Sequence, residues 1–246
     1  NIFITGGAGY VGAELVPKLL ELNYKVIVYD LMIYGEDVLD KHQNLKIIKG
    51  DIRDIEKVKD EIHGVDIFIH LACISNDPSF ELNPNLGKSI NLDPFKPLVV
   101  EAKKNGVKRF IYASSSSVYG IKEEDNVNEE MSLEPLTDYS KFKADCEKIL
   151  SMYSSDEFIT TSIRPATVCG YSKRQRLDLV VNILTNHAYH NKKIKVLGGD
   201  QLRPNIHIHD MCMSYLKVLN SPKEKINNQA FNVGFENHSV SDLADL

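Results

Sequence analysis

Short apolar runs alternate along the chain with longer stretches in which apolar residues recur at helical spacing. The short runs predict buried strands, and the longer stretches predict amphipathic helices. After an opening run, IFI at 2–4, the strand-like segments are KVIVYD (25–30), LKIIKGD (45–51), DIFIH (66–70), KRFIYAS (108–114) and FITTSIR (158–164). Helical spacing follows the first run and recurs near 54–62, 86–105 and 138–152. This alternation predicts an α/β fold of the Rossmann type, a doubly wound parallel sheet with helices on both faces.

The same pattern predicts how the chain divides. We expect residues 1–165 to form a nucleotide-binding domain to which elements near 204–233 return. Residues 166–203 and 234–246 are expected to form a smaller substrate-binding lobe. The chain begins inside its first strand and ends in SVSDLADL, which looks like a helix cut short, so we expect residues missing at both ends. In such a sheet, ligands bind outside the carboxyl ends of the strands.

Four glycines fall within ITGGAGYVG, residues 4–12, between the first strand and the first helix. Free amide N–H groups and the positive end of the helix dipole meet there, which suits a phosphate. A nucleotide P-loop needs a lysine and then Ser or Thr after its last glycine, but the letters AE follow here. Gly7, Gly9 and Gly12 instead satisfy the dinucleotide pattern G-x-G-x-x-G.

That pattern requires an acidic residue about 20 positions further on, at the end of the second strand. Asp30 ends KVIVYD and meets the requirement. A carboxylate there accepts hydrogen bonds from the adenosine ribose and repels a 2′-phosphate. The sequence therefore predicts NAD rather than NADP, although glycines between a strand and a helix can also form an ordinary turn.

Composition narrows the class of protein without identifying it. With 246 residues, of which 43% are hydrophobic and 26% charged, the chain can bury a full core. A net charge of −5 and the lack of a long basic run argue against nucleic acid as a partner. No apolar stretch is long enough for a membrane span, and no signal sequence is visible. Four scattered cysteines are typical of reduced thiols in a cytoplasmic protein.

Two segments after the fifth strand carry candidate chemistry. ASSSSVYG occupies 113–120, and YSKFK places Tyr139 and Lys143 four residues apart, on one face of a helix. A free tyrosine has a pKa near 10, and a neighbouring cation favours the phenolate. A lowering of about 3 units corresponds to roughly 4 kcal/mol, which one ammonium and a positive nicotinamide ring could supply. Taken singly, the pair could be a solvated surface pair and the serines ordinary turn residues.

The motifs TGGAGYVG, GDIRD, HLAC, SSSSVYG and YSKFK, with Asp30 and Asn91 at their separations, resemble the extended short-chain dehydrogenase/reductase family. Within it they are most similar to nucleotide-sugar epimerases and dehydratases of the UDP-galactose 4-epimerase type. The resemblance implies a catalytic group of Ser115, Tyr139 and Lys143, with Ser116 as the second choice for the serine. It implies that the cofactor contacts Gly6, Gly9, Tyr10, Val11, Gly12, Asp30, Asp51, Ile52, Leu71, Ala72, Cys73, Tyr139 and Lys143.

The resemblance also implies a nucleotide-sugar site in the second half of the chain. In KVLGGDQLRPNIHIHD, residues 195–210, Arg203 corresponds to an arginine that clamps the diphosphate. The further substrate candidates are Ser116, Arg174, Arg176 and Asn182. A homodimer through the helices near 86–105 and 138–152 is implied as well.

Asn91 is placed by the sequence in a helix interrupted by Pro94 and Pro97. The resemblance implies that Asn91 helps to hold a water molecule for a proton relay. The alternative is that Asn91 is an ordinary polar residue beside a helix kink. His207 and His209 are expected to alternate on a strand, and we expect no metal site because no third ligand is evident.

Two departures from the family pattern narrow the predicted reaction. Dehydratases of the family carry Asp and Glu directly after the catalytic hydroxyl residue, where this chain has Ser116 and Ser117. Elimination of water needs such an acid and base, so it is disfavoured. Thr167 replaces an asparagine that contacts the sugar nucleotide in many members, which leaves the sugar open. We expect NAD-dependent epimerisation, at C4, of an activated sugar for surface polysaccharides.

Two alternatives to that expectation remain. The first is net oxidation or reduction of the sugar at the same carbon by the same residues. The second is a non-catalytic NAD-binding regulator, since a Rossmann fold alone does not imply catalysis.

Overall fold

The computed structural model describes residues 1–75, 80–124 and 126–246. Ten strands are assigned in these ranges: β1 (Ile2–Thr5), β2 (Val26–Asp30), β3 (Leu45–Lys49), β4 (Ile67–His70), β5 (Arg109–Ala113), β6 (Ile159–Pro165), β7 (Thr167–Cys169), β8 (Leu202–His207), β9 (Gln229–Val233) and β10 (Glu236–Ser239). The α-helices that the structure describes are α1 (Gly12–Glu21), α2 (Ile55–Glu61), α3 (Pro84–Asn91), α4 (Phe95–Lys104), α5 (Asp138–Tyr153), α6 (Val180–Asn191), α7 (Ile208–Asn220), α8 (Lys223–Ile226) and α9 (Val240–Asp245).

Seven strands form one parallel sheet in the order β3-β2-β1-β4-β5-β6-β9. The predicted doubly wound sheet of the Rossmann type is confirmed. The strand order reverses between β1 and β4, and ligands of such sheets bind in the crevice at that reversal. The glycine turn after β1 and the loop after β4 therefore border the expected cofactor site.

The core lies in two layers, one on each face of this sheet. Ile2 and Ile4 of β1 face one layer, and Phe3 between them faces the other, because successive side chains of a strand alternate. The first layer packs against α1 and α7, and the second against α2, α4 and α5. Burial on both faces explains why the central strands β1 and β4 read as continuous apolar runs rather than alternating ones.

The single helix predicted near 86–105 is two helices. α3 ends at Asn91, and α4 begins after Pro94, which lies at its N-cap position. Pro97 lies in the first turn of α4, where the missing N–H is not needed for an intrahelical hydrogen bond. The expectation that Pro97 also interrupts the helix is therefore wrong.

A second, three-stranded sheet has the order β10-β8-β7, with β8 antiparallel to β10 and parallel to β7. From the stretch 204–233, α7 and β9 return to the large sheet, while β8 belongs to the small one. His207 ends β8 and begins α7, where its Nδ1 accepts the N–H of His209 at 3.2 Å. The prediction that His207 and His209 alternate on one strand is therefore wrong.

The stretch from 121 to 135 has no helix or strand where it is described; Asp125 in it lies outside the described residues. Within the described ranges, no group of three or more His, Cys, Asp or Glu side chains could hold a metal ion. In the same ranges no helix combines the length and the apolar character that a bilayer span needs. All four cysteines are free.

Candidate active site

The glycine turn between β1 and α1 is too tight for side chains. Gly6 has a φ of +71°, and a Cβ there would lie 2.6 Å from backbone atoms of Ala72. A Cβ on Gly12 would lie 2.3 Å from the carbonyl oxygen of Gly7. The Gly9 N–H donates to the Gly6 carbonyl at 3.1 Å. Among the described residues, no side chain caps the N-terminus of α1, which Val11 precedes, and the N–H of Ala13 donates to the Gly9 carbonyl at 2.8 Å. The positive end of the helix dipole at this turn fits a pyrophosphate.

Asp30 is fixed at the end of β2 by the backbone around it. One carboxylate oxygen accepts the N–H of Ala8 at 3.0 Å, and the other accepts the N–H of Met32 at 2.8 Å. Each oxygen keeps a lone pair, so the carboxylate can still accept hydrogen bonds from ribose hydroxyls. Asp30 thus joins the glycine turn to the loop that follows β2.

The other predicted cofactor residues follow β3 and β4, as the topology requires. The Asp51 carboxylate accepts from Nε of Arg53 at 2.9 Å, and this hydrogen bond lowers the pKa of Asp51. Ile52 beside it is buried. The Leu71 N–H donates to the Thr5 carbonyl at 3.0 Å and ties the half-buried loop of Leu71, Ala72 and Cys73 to the end of β1.

The structure brings the three predicted catalytic side chains together. Ser115 precedes a 3₁₀ turn, Ser116–Tyr119, and its Oγ accepts the N–H of Ser117 at 3.2 Å. Tyr139 lies in the first turn of α5, and the nearby Ser115 hydroxyl lowers the pKa of Tyr139. One turn later, the buried Lys143 ammonium lies 5.7 Å from the Tyr139 ring centroid. Among the neighbouring serines, Ser115 rather than Ser116 acts on the pKa of Tyr139, which favours Ser115 as the catalytic serine.

Burial and charge act on Tyr139 in opposite directions. Burial raises the pKa of Tyr139, whereas the Lys143 ammonium and the Ser115 hydrogen bond lower it, and the balance is upward. The ammonium alone therefore does not produce the lowering expected from the sequence. For Lys143, burial lowers the pKa, but the neighbouring Cys73 and Tyr139 side chains raise it further, so the ammonium stays charged. Lys143 also donates to the Ala113 carbonyl at 2.6 Å.

A buried ion pair lies behind the serine turn, and the sequence reasoning did not include it. Arg164 at the end of β6 contacts Glu147 of α5 with 2.6 Å between Nη2 and Oε2. Arg164 also donates to the Tyr119 hydroxyl at 2.7 Å, and that hydroxyl donates to Asn232 Oδ1 at 2.7 Å. Ser114 Oγ donates to the same Glu147 carboxylate. This network fastens the serine turn to α5, β6 and β9.

A sequence signal for this network does exist. Tyr139, Lys143 and Glu147 are spaced by four, so they form one stripe along α5. A carboxylate on the stripe that faces the sheet must find a cation, because an unpaired buried charge is strongly unfavourable. Nothing in the spacing shows that the cation is Arg164.

Two second-half candidates, Arg176 and Asn182, contact each other and reach back to the loops of the first half of the chain. The Arg176 guanidinium is largely buried and donates to the Ser75 carbonyl at 3.0 Å. Burial lowers the pKa of Arg176, but Asp178, Cys73 and Tyr139 raise it further. Asn182 donates to the Arg176 carbonyl at 2.9 Å and to the Tyr10 hydroxyl at 3.1 Å. Since both amide hydrogens of Asn182 are used within the protein, its contacts favour a positioning role over a substrate ligand.

Two other predicted substrate residues lie elsewhere. The Arg174 guanidinium carbon lies 3.5 Å from the ring centroid of Tyr34, in the loop after β2. Arg203 is exposed on β8 and forms no ion pair with any residue that the structure describes. The predicted substrate residues therefore do not form one cluster.

Asn91 is held by the loop after β4. Its Oδ1 accepts the Ile74 N–H and its Nδ2 donates to the Ile74 carbonyl, each at 2.9 Å. Both polar atoms of the amide are thus engaged with backbone. These contacts favour the alternative of a structural polar residue over the water-relay role.

Solved structures with the same fold carry dinucleotides and nucleotide sugars. MoeE5 in complex with UDP-glucose and NAD is 26% identical, with a TM-score of 0.85, over 100% of this chain and 80% of that one. The UDP-N-acetylglucosamine 4-epimerase from Methanobrevibacter ruminantium M1, in complex with UDP-N-acetylmuramic acid, is 28% identical. Its TM-score is 0.87, over 100% of this chain and 80% of that one.

Curated relatives include epimerases and dehydratases. The uncharacterized UDP-glucose epimerase YtcB of Bacillus subtilis is 30% identical over 237 residues, which span 90% of this chain and 73% of the relative. A dTDP-D-glucose 4,6-dehydratase of Dictyostelium discoideum is 30% identical over 256 residues, 95% of this chain and 58% of the relative. The chain spans about half the length of another relative, an uncharacterized protein of Sinorhizobium fredii that is 31% identical over 220 residues.

The family itself is matched along almost the whole chain. The NAD dependent epimerase/dehydratase family matches residues 2–234, which include the glycine turn, the serine turn and α5. The tight glycine turn after β1 and the carboxylate of Asp30 at the end of β2 are what an NAD-binding fold of this family requires. The chain therefore belongs to the NAD-dependent epimerase/dehydratase family, and its cofactor is NAD.

Proposed function

We propose that this protein epimerises a nucleotide sugar, at C4, through a transient keto intermediate. The observation that carries the proposal is the placement of the Lys143 ammonium 5.7 Å from the Tyr139 ring centroid, with the serine turn beside Tyr139, at the carboxyl edge of the parallel sheet. That edge also holds the glycine turn and Asp30, so a nicotinamide and a sugar can meet beside Tyr139.

Tyr139 is the base in this proposal. Its phenolate accepts the proton of the sugar hydroxyl, and Ser115 donates a hydrogen bond to the carbonyl oxygen that forms. Lys143 favours the phenolate and offsets part of the pKa increase caused by burial. When bound, NAD accepts the hydride from the sugar carbon and returns it, and its positive ring further favours the phenolate.

The second half of the chain binds the nucleotide sugar in this proposal. Arg176, which lies within electrostatic range of Tyr139, binds the substrate near the reacting carbon. Arg203 supplies a planar guanidinium fork for the diphosphate, a role supported by its exposure on β8. A keto sugar that turns over between these contacts presents its opposite face for reduction.

The serine turn separates this proposal from dehydration. The positions after Ser115 carry hydroxyls, and Ser117 Oγ donates to Ser115 Oγ at 2.9 Å. Neither Ser116 nor Ser117 has the acidity to protonate a leaving hydroxyl or the basicity to remove a C5 proton. Net oxidation or reduction at the same carbon uses the same three residues and stays the second candidate. A non-catalytic regulator is disfavoured because the catalytic group is complete.

The fate of the hydride tests the proposal. A panel of nucleotide sugars labelled with deuterium at C4 is incubated with the holoenzyme, and absorbance of reduced nicotinamide and product mass are followed. An epimerase keeps the deuterium in the product and leaves the absorbance flat. Reduced cofactor that accumulates in proportion to a stable keto product would overturn epimerisation in favour of net oxidation. Loss of water from the sugar would overturn it in favour of dehydration.

The setting of the enzyme is also a proposal. Four free thiols support a reducing, cytoplasmic compartment. A homodimer through α3, α4 and α5, the helices near 86–105 and 138–152, and a role in surface polysaccharide synthesis follow from the family resemblance. Analytical ultracentrifugation tests the dimer.

A further inference from the structure

The connection between β7 and α6 lies against the glycine turn. In residues 170–176, here called the crossover segment, the Gly170 carbonyl accepts the Tyr10 hydroxyl at 2.7 Å. Ser172 Oγ donates to the Tyr10 carbonyl at 2.9 Å. Lys173 forms an ion pair of 2.7 Å with Asp40 in the region after β2. The crossover segment therefore touches both the glycine turn and the chain that follows Asp30.

In the crossover segment, the guanidinium of Arg174 has hydrogen-bond partners for only some of its nitrogens. The guanidinium stacks on Tyr34, with 3.5 Å between its carbon and the ring centroid, and donates to the Gln175 carbonyl at 3.1 Å. Its Nε is buried and has no hydrogen-bond partner among the described residues. Among the residues that the structure describes, no carboxylate forms an ion pair with the Arg174 guanidinium. A buried, unpaired charged donor is unfavourable unless a ligand accepts from it.

The place of the Tyr34 stack indicates which ligand that is. Tyr34 follows Asp30 by four residues, and its ring stays 60% exposed although Arg174 covers one side. In a Rossmann sheet the adenosine ribose lies at the end of the second strand, and the pyrophosphate lies at the N-terminus of the first helix. The crossover segment borders both places, and a guanidinium matches phosphate oxygens as a planar fork.

We propose that Arg174, supported by Tyr34, binds a phosphate oxygen of the adenosine half of NAD, and that the crossover segment thereby retains the cofactor. Arg176, two residues away, serves the sugar nucleotide instead. Retention suits an enzyme that returns its hydride, and only that part of the inference rests on the proposed function. The binding of the dinucleotide itself can be tested without turnover.

Calorimetric titration of NAD, ADP-ribose, adenosine and UDP into the purified protein tests the proposal. We expect Arg174→Met to lower the affinity for NAD and for ADP-ribose by about tenfold or more, which is the scale of a lost charge-assisted hydrogen bond. Adenosine, which lacks phosphate, and UDP should bind as before. Lys173→Met is the matched control, because it removes an exposed cation of the same segment and should change NAD affinity less than about twofold.

Tyr34→Leu gives a second, independent arm. This variant keeps Arg174 but removes its support, so NAD affinity should fall by a smaller factor, and dissociation of NAD should become faster. Unchanged NAD affinity in either variant would overturn the proposal, and so would a selective loss of UDP binding in Arg174→Met. Because these are binding measurements, they stand whether or not the hydride returns to the sugar. An exposed ring is removed in Tyr34→Leu, so that arm decides the question if Arg174→Met does not fold.

Discussion

Two regions of the molecule, the network behind the serine turn and the small sheet, each hold an arginine, and the two arginines differ in burial and in pairing. Behind the serine turn, Arg164 is 6% exposed, and its guanidinium is paired with Glu147 and Tyr119. On the small sheet, Arg203 is exposed and, within the described ranges, forms no ion pair. A buried guanidinium whose three nitrogens all donate within the protein is not presented to a ligand, and its removal leaves a carboxylate charge buried. Arg164 therefore stabilises the fold, whereas Arg203 is free to take the substrate-binding role that we propose for it.

The largest expected effect is a difference in the free energy of unfolding between variants of the two arginines. Arg164→Met leaves the Glu147 carboxylate buried without its cation, so we expect a loss of about 3–5 kcal/mol in the free energy of unfolding. Arg203→Met, the matched control, should change it by less than about 0.5 kcal/mol. Urea unfolding followed by circular dichroism measures both. The double variant Glu147→Leu with Arg164→Met should recover part of the loss, and equal effects of the two arginines would break the comparison.

The second expected effect is a difference in kinetics: a change at Tyr139 should lower kcat, and a change at Arg203 should raise KM. Tyr139→Phe removes the base while keeping the ring, so turnover should fall by about 10²-fold or more with NAD affinity nearly unchanged. Arg203→Met should instead raise KM for the nucleotide sugar with a smaller change in kcat, because it removes binding energy rather than the base. Steady-state kinetics and NAD titration give both results. Near wild-type turnover of Tyr139→Phe would contradict the proposed mechanism.

A third expected effect is a loss of stability at low pH, caused by the buried His70. His70 at the end of β4 is buried and hydrogen-bonded to Thr5 at 2.7 Å, and burial lowers its pKa to about 3. Because the unfolded chain binds this proton near pH 6.5 and the folded chain does not, stability falls as the pH drops below 6.5. The decrease is about 1.4 kcal/mol per pH unit and ends near pH 3.

Urea unfolding between pH 7 and pH 4.5 measures that slope. His70→Gln should remove its contribution, whereas His209→Gln, an exposed control on α7, should leave the slope as it is. The same slope in His70→Gln and in the wild type would show that other groups govern the acid sensitivity.

The smallest expected effect concerns the choice between NAD and NADP at Asp30. Wild-type protein should bind NAD at least about tenfold more tightly than NADP, because the Asp30 carboxylate repels a 2′-phosphate. Asp30→Asn should narrow that ratio. Glu36→Gln, an exposed carboxylate paired with Lys49 nearby in the chain, serves as the control and should not change it. Fluorescence titration of both dinucleotides measures the ratio, and equal wild-type affinities would remove the argument from Asp30.

The sequence by itself determined the features that depend on neighbours along the chain. Apolar runs gave the strands because a strand buried on both faces needs apolar residues at every position. The glycine turn followed from spacing, since its tight backbone depends on residues within a few positions. Tyr139 and Lys143 share a helix face for the same reason, because positions four apart lie one turn apart.

Only the tertiary structure decided which distant residues meet. Arg174 and Arg176 are two residues apart, yet one stacks on Tyr34 and the other reaches Ser75, because the irregular crossover segment has no fixed period. Glu147 finds Arg164 across α5 and β6, which no local pattern encodes. His207 leaves its strand to begin a helix because its Nδ1 can accept the first-turn N–H. Periodicity reports which face of an element is buried, whereas the packing of elements sets which side chains of those faces come into contact.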